Sequence, residues 1–210
     1  MATLTEKYRP MTIDAMVLPD KIRRIVGRIV AEPQADALFF CGKKGTGKTT
    51  LAYLVAGALK AQVVSIGSQK CTVDRINDVI KECAYVPMFS DSNWRVVIID
   101  EADRMSPAAQ LALLSVLDDA GRLPNTLFIF TANQSEGLED RFMDRVKLLD
   151  FSGYGMLQPM VEYLSRVWQA ECGRMKQAAL IEPDFARILK NNQNSMRGAL
   201  NDIEMELLSA

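Results

Sequence analysis

A glycine-rich segment that ends in a lysine and a threonine carries the clearest chemistry in the sequence. Residues 42–49 match the pattern G-x-x-x-x-G-K-[ST] in full. The glycines let successive backbone N–H groups turn towards phosphate oxygens, and a helix that starts there adds a favourable potential. We expect Lys48 to reach the β- and γ-phosphates of a nucleoside triphosphate and the Thr49 hydroxyl to bind Mg²⁺. The predicted nucleotide contacts are Gly42, Lys43, Gly45, Thr46, Gly47, Lys48, Thr49 and Thr50.

Two carboxylates follow a second apolar run. Val96–Ile99 precede Asp100 and Glu101, and such a run is typical of a strand in the middle of a sheet, where ligands bind at the carboxyl ends. We expect Asp100 to hold Mg²⁺ and Glu101 to polarise a water for attack on the γ-phosphate. On their own these would be solvated loop carboxylates. The upstream phosphate-binding motif favours hydrolysis of a bound nucleoside triphosphate, ATP or GTP, instead.

A third apolar run, Leu127–Phe130, is followed by Thr131, Ala132 and Asn133. Because the carboxyl ends of parallel strands share one edge of a sheet, we expect Asn133 to lie beside the other strand ends. There its amide can orient the attacking water or contact the γ-phosphate. The alternative is an asparagine that serves an ordinary turn.

Apolar runs and helical patterns alternate along the first three-quarters of the chain. This alternation is typical of a parallel sheet with helices on both faces. The predicted strands are Ala37–Cys41, Gln62–Ile66, Arg95–Ile99, Thr126–Phe130 and Val146–Phe151. The first four are rich in Val, Ile, Leu or Phe, so we expect them to be buried on both faces. The predicted helices between them are Lys48–Lys60, Thr72–Tyr85 and Ser106–Asp118.

The strand signal stops after Phe151, and three amphipathic helices are predicted beyond it. They span Met156–Cys172, Pro183–Asn191 and Ser195–Leu208. A change of composition near residues 152–155 marks the boundary. We therefore predict an α/β domain with a five-stranded parallel sheet at residues 1–151, followed by a small three-helix domain at residues 152–210.

The composition indicates a globular protein and argues against membrane-spanning, zinc-binding and disulfide-rich classes. Of the 210 residues, 49% are apolar and 24% are charged, a balance that is typical of globular domains. The net charge of −1 means that any contact with nucleic acid needs a local basic patch. No apolar run approaches the roughly 20 residues that span a bilayer, so no membrane contact is expected. The four cysteines are scattered and histidine is absent, so we expect neither a zinc site nor a disulfide framework.

The order of these motifs resembles that of the AAA+ ATPases, with Gly42–Thr49 first, then Asp100–Asp103 and Asn133. Near the N-terminus, Glu6–Pro10 is similar to the E-K-Y-R-P signature of clamp-loader ATPases. These are the replication factor C small subunits and the T4-like bacteriophage clamp-loader large subunit. The resemblance implies a P-loop NTPase core followed by a helical lid, with ATP as the nucleotide. It also implies contacts near the adenine by Tyr8, Arg9 and Pro10.

The resemblance extends to the predicted C-terminal helices. Residues 195–201 look like the sensor 2 motif of the family, in which an arginine of the lid touches the γ-phosphate. Arg197 takes that place in this sequence. The resemblance therefore implies that Arg197 belongs to the nucleotide site.

Residues 138–145 occupy the place of the clamp loaders' S-R-C motif, which supplies an arginine finger to the neighbouring subunit. Asp144 and Val146 stand where the family has serine and cysteine. We prefer Arg145 as the finger because Phe151 follows it at the family's spacing, and Arg141 is the alternative. A surface arginine paired with a nearby aspartate, Asp140 or Asp144, is the non-catalytic reading.

Two softer implications concern macromolecular partners. In clamp loaders, the helix after the second strand lines the DNA channel. In this sequence the same predicted helix also carries acidic residues between the basic ones, so an ordinary solvent-exposed face is an equal alternative. The candidates for phosphate contacts are Lys70, Thr72, Arg75 and Lys81.

The segment before the third strand lies where some clamp-loader subunits present apolar residues to the sliding clamp, although such residues can equally pack into the core. The candidates for this contact are Tyr85, Met88 and Phe89.

The resemblance implies a clamp-loader ATPase subunit that helps to load a sliding clamp onto primer–template DNA during replication. The expected cofactors are ATP and Mg²⁺, and the expected partners are other clamp-loader subunits, the sliding clamp and primer–template DNA. The alternatives are another DNA-linked AAA+ motor, for branch migration or helicase loading, and a nucleotide-binding scaffold without turnover. We expect a cytoplasmic location in a bacterium or an infected host cell, or a nuclear one in a eukaryote.

Clamp loaders also carry a helical collar domain that holds their subunits in a ring. The sequence ends after the predicted lid, so either a collar follows residue 210 in a longer chain or the protein assembles differently. In the second case, assembly through the ATPase domains alone is expected to be weaker than assembly through a collar.

Overall fold

The computed structural model describes residues 2–67, 70–85, 92–118, 120–152, 155–175 and 181–209. Within these ranges, strands and helices alternate as far as Asp150, and the regular structure that follows is helical. The strands are β1 (Asp36–Cys41), β2 (Gln62–Gly67), β3 (Arg95–Asp100), β4 (Thr126–Ala132) and β5 (Lys147–Asp150). Each lies within two residues of its predicted bounds at either end.

The helices in the described part of the chain fall into two groups. Those before and between the strands are α1 (Leu4–Lys7), α2 (Asp20–Ala31), α3 (Lys48–Ala58), α4 (Val73–Cys83), α5 (Pro107–Leu117) and α6 (Asp140–Met143), with a 3-10 turn at Ala102–Arg104. Those after the strands are α7 (Leu157–Met175), α8 (Phe185–Asn191) and α9 (Met196–Ser209). None of these helices is long and apolar enough to cross a membrane.

The five strands form one parallel sheet in the order β2-β3-β4-β1-β5. The carboxyl ends of parallel strands lie along one edge, so residues that follow β1, β3 and β4 are neighbours. The register pairs Cys41 with Ala132 and Ile99 with Phe130. The predicted five-stranded parallel sheet is therefore confirmed, and it gathers the predicted strand-end residues at one edge.

One detail of the predicted sheet is wrong. We expected the second strand to be buried on both faces, but β2 pairs with β3 alone and is mostly exposed. Val63 in this strand is 40% exposed. The run of Val and Ile residues does not distinguish a central strand from an edge strand, because both favour β-branched side chains.

The core beneath the sheet is built around aromatic rings. Phe39 of β1 and Phe130 of β4 stack, and Phe142 of α6 meets both rings edge-on, with centroid separations of 5.0–6.5 Å. All three side chains are fully buried. Offset and edge-to-face geometries of this kind add to the free energy of burial, so α6, which is only four residues long, is fixed firmly to the middle of the sheet.

The helix α2 was not predicted, although its signal is present in the sequence. Its apolar residues fall at positions 22, 25, 26, 29 and 30, the spacing of one helix face. Ile22 and Val26 on this face are buried.

The three helices α7, α8 and α9 confirm the predicted C-terminal helical region. Their apolar faces share a core of fully or nearly fully buried side chains. Its central members include Leu164, Trp168, Phe185, Leu189 and Ile203. Asp184 caps α8, where its carboxylate accepts a hydrogen bond from the Arg187 N–H at 3.0 Å.

The compact units of the structure divide the chain differently from the sequence-based division at residue 151. The residues up to Pro19 and the loop Lys43–Gly47 group with the helical region that begins at Ser152, and the rest forms the sheet unit. The N-terminal segment joins the helical unit because Leu4 is buried in its core. The Thr5 hydroxyl also donates a hydrogen bond to the Asn201 side chain at 3.0 Å. Contacts this distant in sequence leave no local pattern.

The burial pattern of α5 generates a matched test of core packing. Leu113 is 1% exposed in the sheet-unit core, whereas Leu111 on the same helix is 62% exposed. Leu113→Ala is expected to lower the free energy of unfolding by about 2–5 kcal/mol, because it leaves a cavity. Leu111→Ala is expected to change it by less than about 0.5 kcal/mol. Urea denaturation of both variants measures the difference, and equal losses would contradict this packing.

Candidate functional site

The glycine-rich loop connects β1 to α3, and a hydrogen bond from its lysine joins the end of the loop to its start. The Lys48 ammonium donates a hydrogen bond to the Gly42 carbonyl at 2.5 Å, and Lys48 is a buried cation. The Thr46 hydroxyl donates to the Lys43 carbonyl at 2.9 Å across the turn. The ammonium group is thus held directly over the start of the loop, which is where a phosphate-binding lysine must act.

Gly45 at the tip of the loop lies against the beginning of α9. A Cβ atom at this position would stand 2.1 Å from Ser195 Oγ and 3.2 Å from Arg197 Cβ, and φ is +76°. Only glycine fits such a close approach at a positive φ. The Ser195 hydroxyl in turn accepts a hydrogen bond from the Gly198 N–H at 3.1 Å and so caps α9. The structure therefore places Arg197, a predicted site residue, next to the loop tip within the helical unit.

The Asp100 carboxylate receives two hydroxyl hydrogen bonds on one oxygen. Thr49 Oγ1 donates to Asp100 Oδ1 at 2.8 Å, and Thr131 Oγ1 donates to the same oxygen. Asp100 ends β3 and Thr131 lies in β4, so the sheet register sets them side by side. Thr49 reaches the same oxygen from the first turn of α3. The two predicted metal ligands are therefore in direct contact.

The chemistry of these two oxygens suits a magnesium ion. A hydroxyl and a carboxylate are oxygen donors of the kind that Mg²⁺ prefers, and here they face each other at a hydrogen-bond distance of 2.8 Å. In the described part of the chain, no group of three His, Cys, Asp or Glu side chains could hold a metal by itself. A site with few protein ligands suits Mg²⁺, which is usually completed by substrate phosphates and water.

Glu101, the predicted base, has a strained backbone and a paired side chain. Its φ is +55°, in the left-handed region that non-glycine residues rarely adopt. Its N–H donates to Thr131 Oγ1 at 3.4 Å, and its carboxylate forms an ion pair with Arg104 at 3.0 Å. Both side chains of the pair are about half exposed, so the pair is weak and can open.

Asn133 lies in a bend immediately after β4 and is partly exposed. The Gly42 N–H donates to the Ala132 carbonyl at 3.2 Å, which joins the start of the glycine-rich loop to the residue before Asn133. The structure therefore brings Gly42 and Asn133 to the same edge of the sheet as Asp100. The reactive roles predicted for these side chains remain predictions.

Arg145 and Arg141 have different surroundings. The Arg145 guanidinium pairs with the Asp118 carboxylate and donates to the Arg141 carbonyl at 2.6 Å. The Arg141 side chain is exposed. The partner of Arg145 is thus an aspartate of the neighbouring helix end, and neither Asp140 nor Asp144 takes that place. The ion pair orders Arg145 at the surface of the sheet unit.

The predicted adenine-contact segment is fixed to the helical unit through Tyr8. The Tyr8 hydroxyl donates to Glu171 Oε1, and the Tyr163 hydroxyl donates to the Tyr8 carbonyl at 2.8 Å. Burial and the neighbouring Glu171 carboxylate raise the pKa of Tyr8 to about 12. Arg9 is exposed and Pro10 is half-buried. Tyr8 therefore anchors this segment, and Arg9 directly after it is accessible.

The candidates for DNA and clamp contacts lie on or near α4. Lys70, Thr72 and Lys81 are exposed, the Thr72 hydroxyl caps the helix, and Arg75 forms a surface ion pair with Glu82 at 3.2 Å. Tyr85 is 77% exposed. Met88 and Phe89 lie outside the described residues. Positively charged side chains are thus accessible on α4, but the ion pair of Arg75 must open before it can bind a phosphate.

Two residues of the site were not predicted. Thr131 holds both Asp100 and the Glu101 backbone, and its sequence signal was its place at the end of an apolar run, two residues before Asn133. Glu171 lies on the apolar face of α7 with Leu164 and Val167. An acidic residue at a core position of a helix was the available signal, because buried carboxylates require partners.

Residues 38–153, more than half of the chain, match the family described as "ATPase family associated with various cellular activities (AAA)". The replication factor C small subunit 2 of Pyrobaculum islandicum is 27% identical over 206 residues, covering 95% of this chain and 62% of that protein. Replication factor C subunit 3 of Blastobotrys adeninivorans is 28% identical over 205 residues, covering 95% and 58%. The chain thus spans about three-fifths of the length of these curated relatives.

Solved structures with the same fold include the RuvB Holliday junction branch migration motor of Thermotoga maritima. Its TM-score is 0.65 at 16% identity, covering 94% of this chain and 64% of that chain. A mutant of the same protein gives a TM-score of 0.68 at 16% identity, covering 97% and 68%. At this identity the likeness shows the fold of an AAA+ P-loop NTPase and no more.

The Tyr8 anchor generates a prediction about pH. The folded protein raises the pKa of Tyr8 from the ordinary 10.0 to about 12, so folding favours the protonated phenol. The stabilisation from its hydrogen bond to Glu171 should be complete below pH 10 and lost as the pH rises through about 12. Ultraviolet titration of the wild type minus Tyr8→Phe should show a tyrosinate midpoint near pH 12. A midpoint near 10 would contradict the anchor.

Proposed function

We propose, since the chain belongs to the AAA family of ATPases, that it binds ATP with Mg²⁺ and hydrolyses the ATP to ADP and phosphate. The observation that carries the proposal is the contact between Thr49 Oγ1 and Asp100 Oδ1 at 2.8 Å. It joins the end of the glycine-rich loop to the acidic residue that ends β3, which is the pairing that a Mg²⁺–nucleotide complex requires.

The binding roles follow from the positions of the side chains. Lys48 binds the β- and γ-phosphates. When it does, its ammonium group releases the Gly42 carbonyl and donates to phosphate oxygens instead. Thr49 and Asp100 hold the metal, which supplies positive charge against the phosphate oxygens. Arg197 in the first turn of α9 stands beside the loop tip and adds a charge from the lid. These positive charges stabilise the negative charge that spreads over the oxygens of the transferred phosphoryl group.

The proton-transfer role falls to Glu101. As a general base it takes a proton from the attacking water, with the Asn133 amide orienting that water. Glu101 must first leave its ion pair with Arg104, which is an exposed contact that costs little to break. The hydrogen bond from its backbone to Thr131 keeps Glu101 at the end of β3 while the side chain turns.

We place this activity in a clamp-loader subunit that acts with other subunits, a sliding clamp and primer–template DNA. The support is similarity to replication factor C subunits along 95% of the chain and the exposed basic residues on α4. Arg145, ordered by Asp118 at the surface, is the proposed finger for the ATP of a neighbouring subunit, with Arg141 as the alternative. The likeness to the branch migration motor is one of fold and does not favour that function.

Steady-state ATP hydrolysis with and without primer–template DNA tests the proposal. The wild type is expected to hydrolyse ATP in the presence of Mg²⁺, and DNA is expected to raise the rate, because a clamp loader couples turnover to the primer–template junction. Glu101→Gln should bind ATP as tightly as the wild type yet lose turnover by about 100-fold or more, since a general base contributes that much.

The matched control is Glu136→Gln, an equal change of charge at an exposed turn after β4, which should leave the rate unchanged. Lys48→Ala should lose binding and turnover together. Turnover of Glu101→Gln at the wild-type rate would rule out Glu101 as the base, and a rate indifferent to DNA would contradict the clamp-loader role while leaving the ATPase intact.

A further inference from the structure

The helical unit contains a buried carboxylate that no step of the proposed hydrolysis uses. Glu171 on α7 is 8% exposed and accepts three hydrogen bonds from side chains. Lys7 donates to Oε2 at 2.6 Å, while Tyr8 and Arg174 donate to Oε1, the latter at 3.1 Å. A buried charge persists only when it is paired in this way. Burial raises the pKa of Glu171, but the hydrogen bonds from Lys7 and Tyr8 outweigh it and hold the pKa below its ordinary value.

Two of these three partners are consecutive residues of the N-terminal segment. Lys7 and Tyr8 end the short helix α1 and immediately precede Arg9 and Pro10. A four-residue helix has no stability of its own, so its position depends on contacts with the rest of the unit. Leu4 in the core and the Tyr163 bond to the Tyr8 carbonyl contribute, and the ion pair between Lys7 and the buried Glu171 adds a charged contact.

The other end of the same segment reaches the glycine-rich loop. A Cβ atom at Gly47 would stand 2.7 Å from Met16 Cε, and φ of Gly47 is +92°. Met16 is itself buried. The segment therefore runs between Glu171 at residues 7 and 8 and the loop at residue 16, all within the helical unit. Arg9 and Pro10 lie along this path.

We propose that Glu171 is a positioning residue for nucleotide recognition: it holds Lys7 and Tyr8 so that Arg9 and Pro10 are presented to the base of the bound nucleotide. The inference rests on the proposed ATP site and deepens it. Tyr8 acts as the anchor because both its hydroxyl and its carbonyl are engaged. Glu171 touches neither the nucleotide nor the reacting atoms.

The proposal separates affinity for the base from affinity for the phosphates. Glu171→Gln removes the charge and keeps the shape of the side chain. It should weaken ADP binding by up to about tenfold, since the energy of the lost hydrogen bond to a charged group limits what the anchor can contribute to base binding. Binding of inorganic tripolyphosphate with Mg²⁺, which uses the phosphate and metal contacts but has no base, should stay within about twofold of the wild type. In turnover, the KM for ATP should rise while kcat is retained.

A double-mutant cycle tests whether Glu171 acts through Tyr8. Tyr8→Phe alone should weaken ADP binding, and adding it to Glu171→Gln should cost little more, because both changes disrupt one anchor. Glu162→Gln on the same helix is the matched control: Glu162 is exposed and bonds to Gln158 at 3.1 Å. This control should bind ADP as the wild type does.

Isothermal titration calorimetry of these variants, at a temperature where circular dichroism shows each to be folded, distinguishes the outcomes. Wild-type ADP affinity in Glu171→Gln, or an equal loss for ADP and tripolyphosphate, would overturn the positioning role and leave the proposed ATPase standing. Additive losses in the cycle would overturn the route through Tyr8. A wild-type chain that binds neither ligand would overturn the proposed function and the inference with it.

Discussion

The hydrogen bonds on Asp100 are the constraint on which the rest of the sheet unit depends. One carboxylate oxygen accepts from Thr49 at the start of α3 and from Thr131 in β4, so three elements meet at one atom. This is possible only because β1, β3 and β4 are the middle strands of a parallel sheet. The aromatic core formed by Phe39, Phe130 and Phe142 packs β1 and β4 together. Hydrogen bonds to a charged group are stronger than neutral ones, so the pairing tolerates little displacement of the strands.

In the helical unit, the N-terminal segment and the loop Lys43–Gly47 are held in place without strand pairing. The unit uses glycines at positive φ, Gly45 and Gly47, against which the side chains of Ser195 and Met16 pack closely. It also uses the buried Glu171, whose charge is satisfied by donors from the N-terminal segment. The glycine contacts and the hydrogen bonds of Glu171 both join parts of the chain that are far apart in sequence. A different packing of the helices would break the contacts of Gly45 and of Glu171.

Local chemistry made much of this protein predictable from its sequence. The glycine-rich loop and the acidic residue after β3 allow few residue types at fixed spacing, and apolar runs mark strands well. The pattern did not show that β2 lies at the edge, because strand composition does not encode neighbours. It also did not show the Tyr8–Glu171 bond across 163 residues or the pairing of Arg145 with Asp118. Such contacts depend on the order in which elements pack, which leaves no periodicity in the sequence.

The Mg²⁺ dependence of ATP binding tests whether Asp100 holds the metal of a Mg²⁺–ATP complex. Asp78→Asn is the matched variant, an identical change at an exposed position of α4. Titration with a fluorescent ATP analogue over a series of Mg²⁺ concentrations should show that Mg²⁺ strengthens binding by the wild type and by Asp78→Asn. In Asp100→Asn this strengthening should fall by about tenfold or more. An unchanged Mg²⁺ dependence in Asp100→Asn would contradict the account.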